Sequence, residues 1–233
     1  MVSQQVEFQP KLRSIKTMWG VDGFTESENW NDIFARIKAD GFDGVEMIAP
    51  FFLMPGMQDA LKTAGLELCA QVHTSSAVRE GLAGFRYNTS YSVKDHLDSL
   101  KDLAQEAKKV GAFIVNSHSG CDSWSVEDAR EYLRGALVIE KELGLPICHE
   151  THRRRLFWNP FNFRDILKGQ EDLKDIKVNI DISHWVVCLE RIFASPESIQ
   201  ENGDVDAWWP EILDMLKNNV WLIHARVGYG EGP

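Results

Sequence analysis

The sequence is poor in cysteine and has no long apolar run. The cysteines are few and far apart, without a Cys-x-x-Cys pair: Cys69, Cys121, Cys148 and Cys188. This spacing argues against a zinc ribbon and against a disulfide framework. The longest apolar runs are strand-sized, well short of the roughly 20 residues that cross a membrane, and the polar N-terminus does not resemble a signal peptide. We therefore expect a cytoplasmic protein without a membrane segment.

Positive charge is also scarce. Against 35 acidic residues the chain has 25 lysines and arginines, for a net charge of −10. Such a surface repels polyanions, so the sequence predicts no nucleic-acid partner. A glycine-rich phosphate loop is lacking as well, because the segment 19–23 does not have G-x-G-x-x-G spacing, which weakens a dinucleotide-binding hypothesis. No linker or low-complexity tract divides the chain, and we expect one domain over 1–233.

What the sequence does contain is a regular alternation of strand-like and helix-like segments. The strand-like runs are 15–18, 45–48, 66–72, 113–115, 145–148, 178–182 and 221–223. Between them lie apolar residues at helical spacing, such as Trp30, Ile33, Phe34 and Ile37. Helix starts are marked by Ser125, with Asp128 three residues later, and by Asn159 before Pro160.

This β-α order predicts a parallel sheet covered by helices. Without the dinucleotide fingerprint, a (β/α)8 TIM barrel is favoured over an open sheet. The seven strand-like runs advance along the chain by about 34 residues on average, so an eighth strand is expected only beyond Pro233. The segment 76–92 is predicted to be a long loop that could cover a site.

Chemically useful side chains stand where the predicted strands end. In a parallel barrel these ends meet at one face. Five of the seven histidines fall in this set, which comprises Trp19, Glu46, His73, His118, Glu150, His152, Asp181, His184, His224 and Arg226. Carboxylates and imidazoles that converge on one pole are the ligands of a divalent ion such as Mn, Co, Mg or Zn.

Not every member of this set needs a function. Burying Glu150 or Asp181 in an apolar strand is costly without a cation or strong hydrogen bonds, so ligation is favoured for both, and with them for His224. His73 and His118 could be packing residues or could contact substrate or metal. Glu46 could contact substrate or could be an ion-pair partner inside the barrel mouth.

Other candidates are open in the same way. Arg153 and Arg226 could meet a phosphate or carboxylate of a substrate or could simply be solvated. Trp19 could stack on a sugar or pack within its loop.

Three motifs resemble a known family: Cys148-His149-Glu150-Thr151-His152-Arg153, Asn179-Ile180-Asp181-Ile182-Ser183-His184-Trp185 and His224-Ala225-Arg226-Val227-Gly228. They are similar to the motifs of the fifth, sixth and seventh strands in the xylose isomerase-like superfamily, and the likeness extends over about 15–233. It implies that Glu150, Asp181 and His224 hold one divalent metal, together with a glutamate on an eighth strand. It also implies that His184 contacts substrate.

The resemblance implies a sugar or sugar phosphate isomerase or epimerase. The metal would stabilise an enediolate formed when a C–H proton is removed, with Glu150 as the first candidate base. An endonuclease-IV-like zinc phosphodiesterase is the alternative enzyme. His73 and His118 fit it, whereas the residues after His224 and the negative charge do not.

A third hypothesis is a catalytically inactive barrel that serves in binding or assembly. A barrel of seven strands has two open edges, and such edges invite pairing with another chain. A homo-oligomer is therefore a further expectation.

Overall fold

A computed structural model describes residues 12–74, 90–189 and 208–225. For residues 208 and 209 it describes only the backbone. The strands are β1 (Ile15–Thr17), β2 (Gly44–Ile48), β3 (Glu67–His73), β4 (Ile114–His118), β5 (Ile147–Glu150), β6 (Lys177–Ile180) and β7 (Val220–Ile223). The α-helices are α1 (Trp30–Ala39), α2 (Met57–Ala64), α3 (Val93–Lys109), α4 (Val126–Leu143), α5 (Pro160–Leu167), α6 (Ile182–Leu189) and α7 (Trp208–Leu216).

The seven strands form one parallel sheet in the order β1-β2-β3-β4-β5-β6-β7. Each helix returns the chain to the start of the next parallel strand, as a β-α repeat requires. Ile15 of β1 and Ile223 of β7 line the same cavity, so the sheet curls back toward its own first strand. The prediction of a TIM barrel is confirmed, with seven strands in the part of the chain that the structure describes. The predicted long loop falls largely on 75–89, outside the described residues.

Local capping signals explain where several helices begin. Ser125 accepts a hydrogen bond from the Asp128 amide, and the Asp128 carboxylate bonds back to the Ser125 amide. Ser92 and Asp95 form the same capping box at the start of α3, and Asn159 caps α5, with Pro160 in its first position. Each such cap stabilises its helix by about 1 kcal/mol. None of the described helices is long and apolar enough to cross a membrane.

The main hydrophobic core lies between the outer face of the sheet and the helices. Val45, Ala70, Val115 and Val178 face this core, and each is fully buried. The alternate residues of the strands point into the barrel. Toward the amino ends of the strands the interior is apolar and contains Cys69, Ile114 and Cys148. Toward the carboxyl ends it becomes polar.

The strands extend further than their apolar runs. β4 continues through Asn116 to His118 rather than stopping at Val115, and β5 ends at Glu150 rather than at Cys148. Inward-facing positions near the barrel mouth are polar, so reading strands as apolar runs ended them too early. The opposite error occurs at β6, which ends at Ile180, because α6 begins at Ile182.

Candidate metal centre

The predicted strand-end residues converge at the carboxyl face of the barrel around a cavity of about 280 Å³. Glu46 lies in β2 and Glu150 at the end of β5, while Asp181 and His224 follow β6 and β7 directly. The cavity is lined by Ile15, Thr17, Trp19, Glu46, Gln71, His118, Glu150, His152, Arg153, Asp181, His184, Ile223, His224 and Ala225.

Glu150 is buried at the centre of this arrangement, with 3% of its surface exposed. Its Oε2 accepts hydrogen bonds from the side-chain amides of Asn116 (2.6 Å) and Asn179 (3.3 Å). The same oxygen lies 2.9 Å from Nε2 of His118. Burial alone would raise the pKa of Glu150, but His118 and His224 together hold this pKa well below its ordinary value. Glu150 is therefore a carboxylate, and its other oxygen, Oε1, faces Nδ1 of His224 at 3.6 Å.

Asp181 is held in a similar way, with one oxygen anchored and one directed at His224. Its Oδ1 accepts hydrogen bonds from the amide (3.1 Å) and the hydroxyl (2.5 Å) of Ser183. Its backbone N–H donates to Oγ1 of Thr151 at 2.7 Å, which fixes the residue against β5. Oδ2 lies 3.6 Å from Nδ1 of His224 and 3.8 Å from Nε2 of His184.

His224 faces carboxylates on both sides of its ring. Nδ1 is directed at Glu150 and Asp181, and Nε2 lies 2.8 Å from Oε2 of Glu46. Burial lowers the pKa of His224, but the three carboxylates outweigh burial and raise this pKa to about 12. Without another cation, the imidazolium itself would neutralise part of this negative charge.

The donor set fits a divalent ion. Glu150 Oε1, Asp181 Oδ2 and His224 Nδ1 are two oxygens and one imidazole nitrogen, which Mn, Co, Mg and Zn accept to different degrees. Ligands about 2.0–2.2 Å from such an ion lie roughly 3.0–3.6 Å from one another, and Nδ1 of His224 lies 3.6 Å from each of the two carboxylate oxygens. Glu150 belongs to three groups of donors that could hold an ion: with Asp181 and His184, with Glu46 and His224, and with His118 and His152.

Four imidazoles form a row, and three of them, His118, His152 and His184, line the cavity. His73 stacks on His118 with ring centroids 4.2 Å apart, His152 follows at 4.5 Å from His118, and His184 at 3.8 Å from His152. Burial, followed by the neighbouring His118, lowers the pKa of His152 to about 2 and that of His73 well below its ordinary value. These two rings are neutral, and His73 lies behind His118 rather than on the cavity wall.

The remaining predicted residues lie at the rim. Trp19 is 53% exposed, and its indole N–H donates to Oε1 of Gln71 at 3.0 Å. Arg153 lines the cavity and precedes Arg154, which has a left-handed backbone conformation with φ 62°. Arg226 lies outside the described residues.

Sequence reasoning missed three buried amides inside the barrel: Gln71, Asn116 and Asn179. Asn116 bridges two carboxylates, because its Nδ2 lies 2.6 Å from Oε1 of Glu46 and 2.6 Å from Oε2 of Glu150. Gln71 connects Trp19 to His118, whose Nε2 is 2.7 Å from the amide nitrogen of Gln71. The available signal was period two: each amide occupies an inward position of a strand, and the outward positions beside it are apolar apart from Ser117 in β4.

Solved structures with this fold include several enzymes. A xylose isomerase-like TIM barrel protein from Mycobacterium smegmatis, in complex with magnesium, is 16% identical, with a TM-score of 0.60 over 93% of this chain and 75% of that one. The 3-keto-D-glucoside 4-epimerase of E. coli is 15% identical, with a TM-score of 0.56 over 92% and 78%. A family 2 AP endonuclease from Brucella melitensis is 13% identical, with a TM-score of 0.55 over 91% and 92%.

At these identities the likeness establishes the fold and not an activity. No curated protein sequence is significantly similar to this chain. The family itself is established by the sequence, which matches the family described as xylose isomerase-like TIM barrel over residues 29–217. This protein therefore belongs to the xylose isomerase-like TIM barrel family.

Proposed function

We propose that the chain is a metal-dependent isomerase or epimerase of a sugar or sugar phosphate. The observation that carries this proposal is the convergence of Glu150 Oε1, Asp181 Oδ2 and His224 Nδ1. The first two atoms each lie 3.6 Å from the third. Two buried carboxylates that share one imidazole are costly unless a cation compensates them. The metal-binding role of these three residues is part of the proposal.

The cavity around these atoms has the chemistry to hold a small polyol. Its volume of about 280 Å³ is near the lower end of the roughly 300–1,000 Å³ of small-molecule pockets. His184 and Trp19 offer imidazole and indole faces, and Arg153 offers a cation for a phosphate or carboxylate group. The related epimerase of E. coli acts on a keto-glucoside, by its name. These features together favour a sugar or a sugar derivative over a polymer.

A bound divalent ion would supply the positive charge that stabilises an enediolate oxygen. The chain's own residues must hold the substrate and move the proton. The low pKa of Glu150 keeps it ionised and so suits a ligand. The same property makes it a weak base, because general bases work best with a pKa near the operating pH. Its role as base stays a prediction.

The proposal is tested first by metal binding. We expect the protein, once stripped with a chelator, to bind about one Mn²⁺, Co²⁺, Mg²⁺ or Zn²⁺ per chain in titration calorimetry. Glu150→Gln and Asp181→Asn should each weaken binding by at least about 1,000-fold, because each replaces a charged ligand by a neutral amide. Glu142→Gln is the matched control, since Glu142 forms an exposed ion pair with Lys101 far from the cavity.

Proton exchange tests the reaction class. Incubation of the loaded enzyme with a panel of ketoses, aldoses and their phosphates in heavy water should introduce deuterium at the carbon next to the carbonyl, as seen by NMR. Exchange should require the metal and should be lost in both ligand variants. Absence of metal binding by the unaltered protein would sink the proposal at its first step. If the metal binds but no substrate in the panel exchanges its proton, only the metal-binding part of the proposal would stand.

A phosphodiesterase is the second candidate, and the row of imidazoles favours it. His118 and His152, together with Glu150, form a separate group of donors that could hold a second ion. Binding of two or three zinc ions per chain, together with cleavage of a phosphodiester, would support this candidate. The net charge of −10 argues against a DNA substrate.

A further inference from the structure

We propose that Glu46 is a positioning residue: it accepts the Nε2–H of His224 and thereby directs Nδ1 of that ring at the proposed metal. The proposal rests on the function proposed above and changes the prediction for Glu46, which was expected to contact substrate or to form an ion pair.

The two ring nitrogens of His224 face different partners. Nδ1 lies 3.6 Å from both Glu150 and Asp181, whereas Nε2 lies 2.8 Å from Oε2 of Glu46. In neutral imidazole one nitrogen carries the proton and the other offers a lone pair. A carboxylate can only accept, so Glu46 stabilises the tautomer with the proton on Nε2. That tautomer leaves the lone pair of Nδ1 for the metal, as in carboxylate–histidine–metal triads.

One neighbour competes for the same nitrogen. The amide nitrogen of Asn179 lies 3.1 Å from Nε2 of His224 and, as a donor, would favour a lone pair there. The contact with Glu46 is shorter, and a hydrogen bond to an ionised group is about twice as strong as a neutral one. The Asn179 amide also has an alternative acceptor, Oε2 of Glu150, at 3.3 Å. The competition is therefore decided in favour of Glu46.

Glu46 is itself held rigidly in place. It is 5% exposed, and its second oxygen, Oε1, accepts a hydrogen bond of 2.6 Å from the Asn116 amide. The same amide nitrogen binds Oε2 of Glu150 at 2.6 Å. Asn116 thus sets the distance between the positioning carboxylate and the proposed ligand, and an orienting group needs this kind of support.

The arrangement also separates Glu46 from the metal. An ion on Nδ1 of His224 lies on the opposite side of the ring from Oε2 of Glu46. Glu46, Glu150 and His224 also form a group of donors that could hold an ion, but a direct bond from Glu46 to the metal would require the ion to bind Nε2 instead. The two arrangements differ in which nitrogen is protonated, and this difference can be measured.

The experiment combines ring tautomers with metal affinity. In protein labelled with ¹⁵N-histidine and loaded with Zn²⁺, long-range ¹H–¹⁵N spectra should show His224 bound through Nδ1, with a slowly exchanging proton on Nε2. Glu46→Gln retains an acceptor without the charge and should weaken Zn²⁺ binding about 10- to 100-fold. Glu46→Ala should weaken it further and abolish the slowly exchanging signal. Thermal melts in chelator will establish that each variant folds.

The outcomes separate this inference from the proposed function. If the unaltered protein binds no metal, the proposed function fails, and the positioning role fails with it. If metal binds but the spectra show coordination through Nε2, only the positioning role is overturned. Loss of binding in Glu46→Gln as severe as in Glu150→Gln would make Glu46 a ligand instead. Unchanged affinity in Glu46→Ala would also overturn the inference.

Discussion

Histidines on opposite faces of the same sheet differ in charge: the half-buried His224 inside the barrel is charged, whereas the buried His149 and His96 outside it are neutral. Inside the barrel, His224 lies among three carboxylates, and its pKa is raised to about 12. Outside it, His149 bonds to the Ser119 hydroxyl at 2.7 Å and His96 to the Thr74 hydroxyl at 2.7 Å. Burial and the nearby Lys177 lower the pKa of His149 to about 3, and burial and Arg155 lower that of His96 to about 4.

The difference teaches that burial keeps a histidine neutral here unless carboxylate partners outweigh it. A hydroxyl can donate to or accept from a neutral ring, so the outer histidines stay neutral and structural. Carboxylates only accept hydrogen bonds, so the ring of His224 either carries a second proton or would coordinate a metal ion. The two groups also differ in which nearby substitutions the protein should tolerate.

The largest effect on stability should come from adding a negative charge beside the carboxylates that surround His224. In Asn116→Asp the amide that bridges Glu46 and Glu150 becomes a carboxylate between these two. We expect a loss of about 3–5 kcal/mol in the free energy of unfolding, because a buried charge would lack compensation. Urea denaturation in the presence of chelator measures it.

The matched control for this change is Asn159→Asp. Asn159 is also buried, but it caps α5, where aspartate is a good substitute and a negative charge is favourable. This variant should change stability by less than about 1 kcal/mol. Equal losses in the two variants would contradict the distinction between the two environments.

The outer histidines should make the protein sensitive to acid. Their pKa values in the folded state, about 4 and about 3, lie below the unfolded value of 6.5, so the unfolded chain binds more protons between these limits. Stability is therefore fully present above pH 6.5 and is lost as the pH falls, by up to about 1.4 kcal/mol per pH unit for each histidine.

The variant His149→Asn tests this linkage. Asparagine keeps a hydrogen-bonding group near Ser119 but cannot titrate, so the variant should lose stability less steeply between pH 6.5 and pH 5. Urea midpoints across this range measure the slope, which does not depend on the variant's overall stability. An unchanged slope would show that His149 does not bind a proton on unfolding in this range.

The smallest effect should follow from removing one hydroxyl of the outer group. Tyr132 donates to Oγ of Ser119 at 3.3 Å, and burial raises its pKa to about 12. Tyr132→Phe removes this neutral hydrogen bond and should cost about 1 kcal/mol in the free energy of unfolding. Metal affinity should not change, and a change above twofold would indicate that the two faces of the sheet are coupled.

The sequence was enough to predict the strand order and the pole at which the site lies. Glu150, Asp181 and His224 stood out because charged residues at strand ends are conspicuous among apolar ones. The amides did not, since Asn116 and Asn179 are recognisable only when the register of each strand is known. The role proposed for Glu46 could not be predicted either, because it depends on a contact with His224 across 178 residues, which the sequence alone does not reveal.

Anomalous diffraction from a crystal soaked in Mn²⁺ tests the central claim most directly. One strong peak is expected about 2.0–2.3 Å from Oε1 of Glu150, Oδ2 of Asp181 and Nδ1 of His224. A peak bonded to Nε2 of His224, a peak among the outer histidines, or no peak near Glu150 would contradict the account.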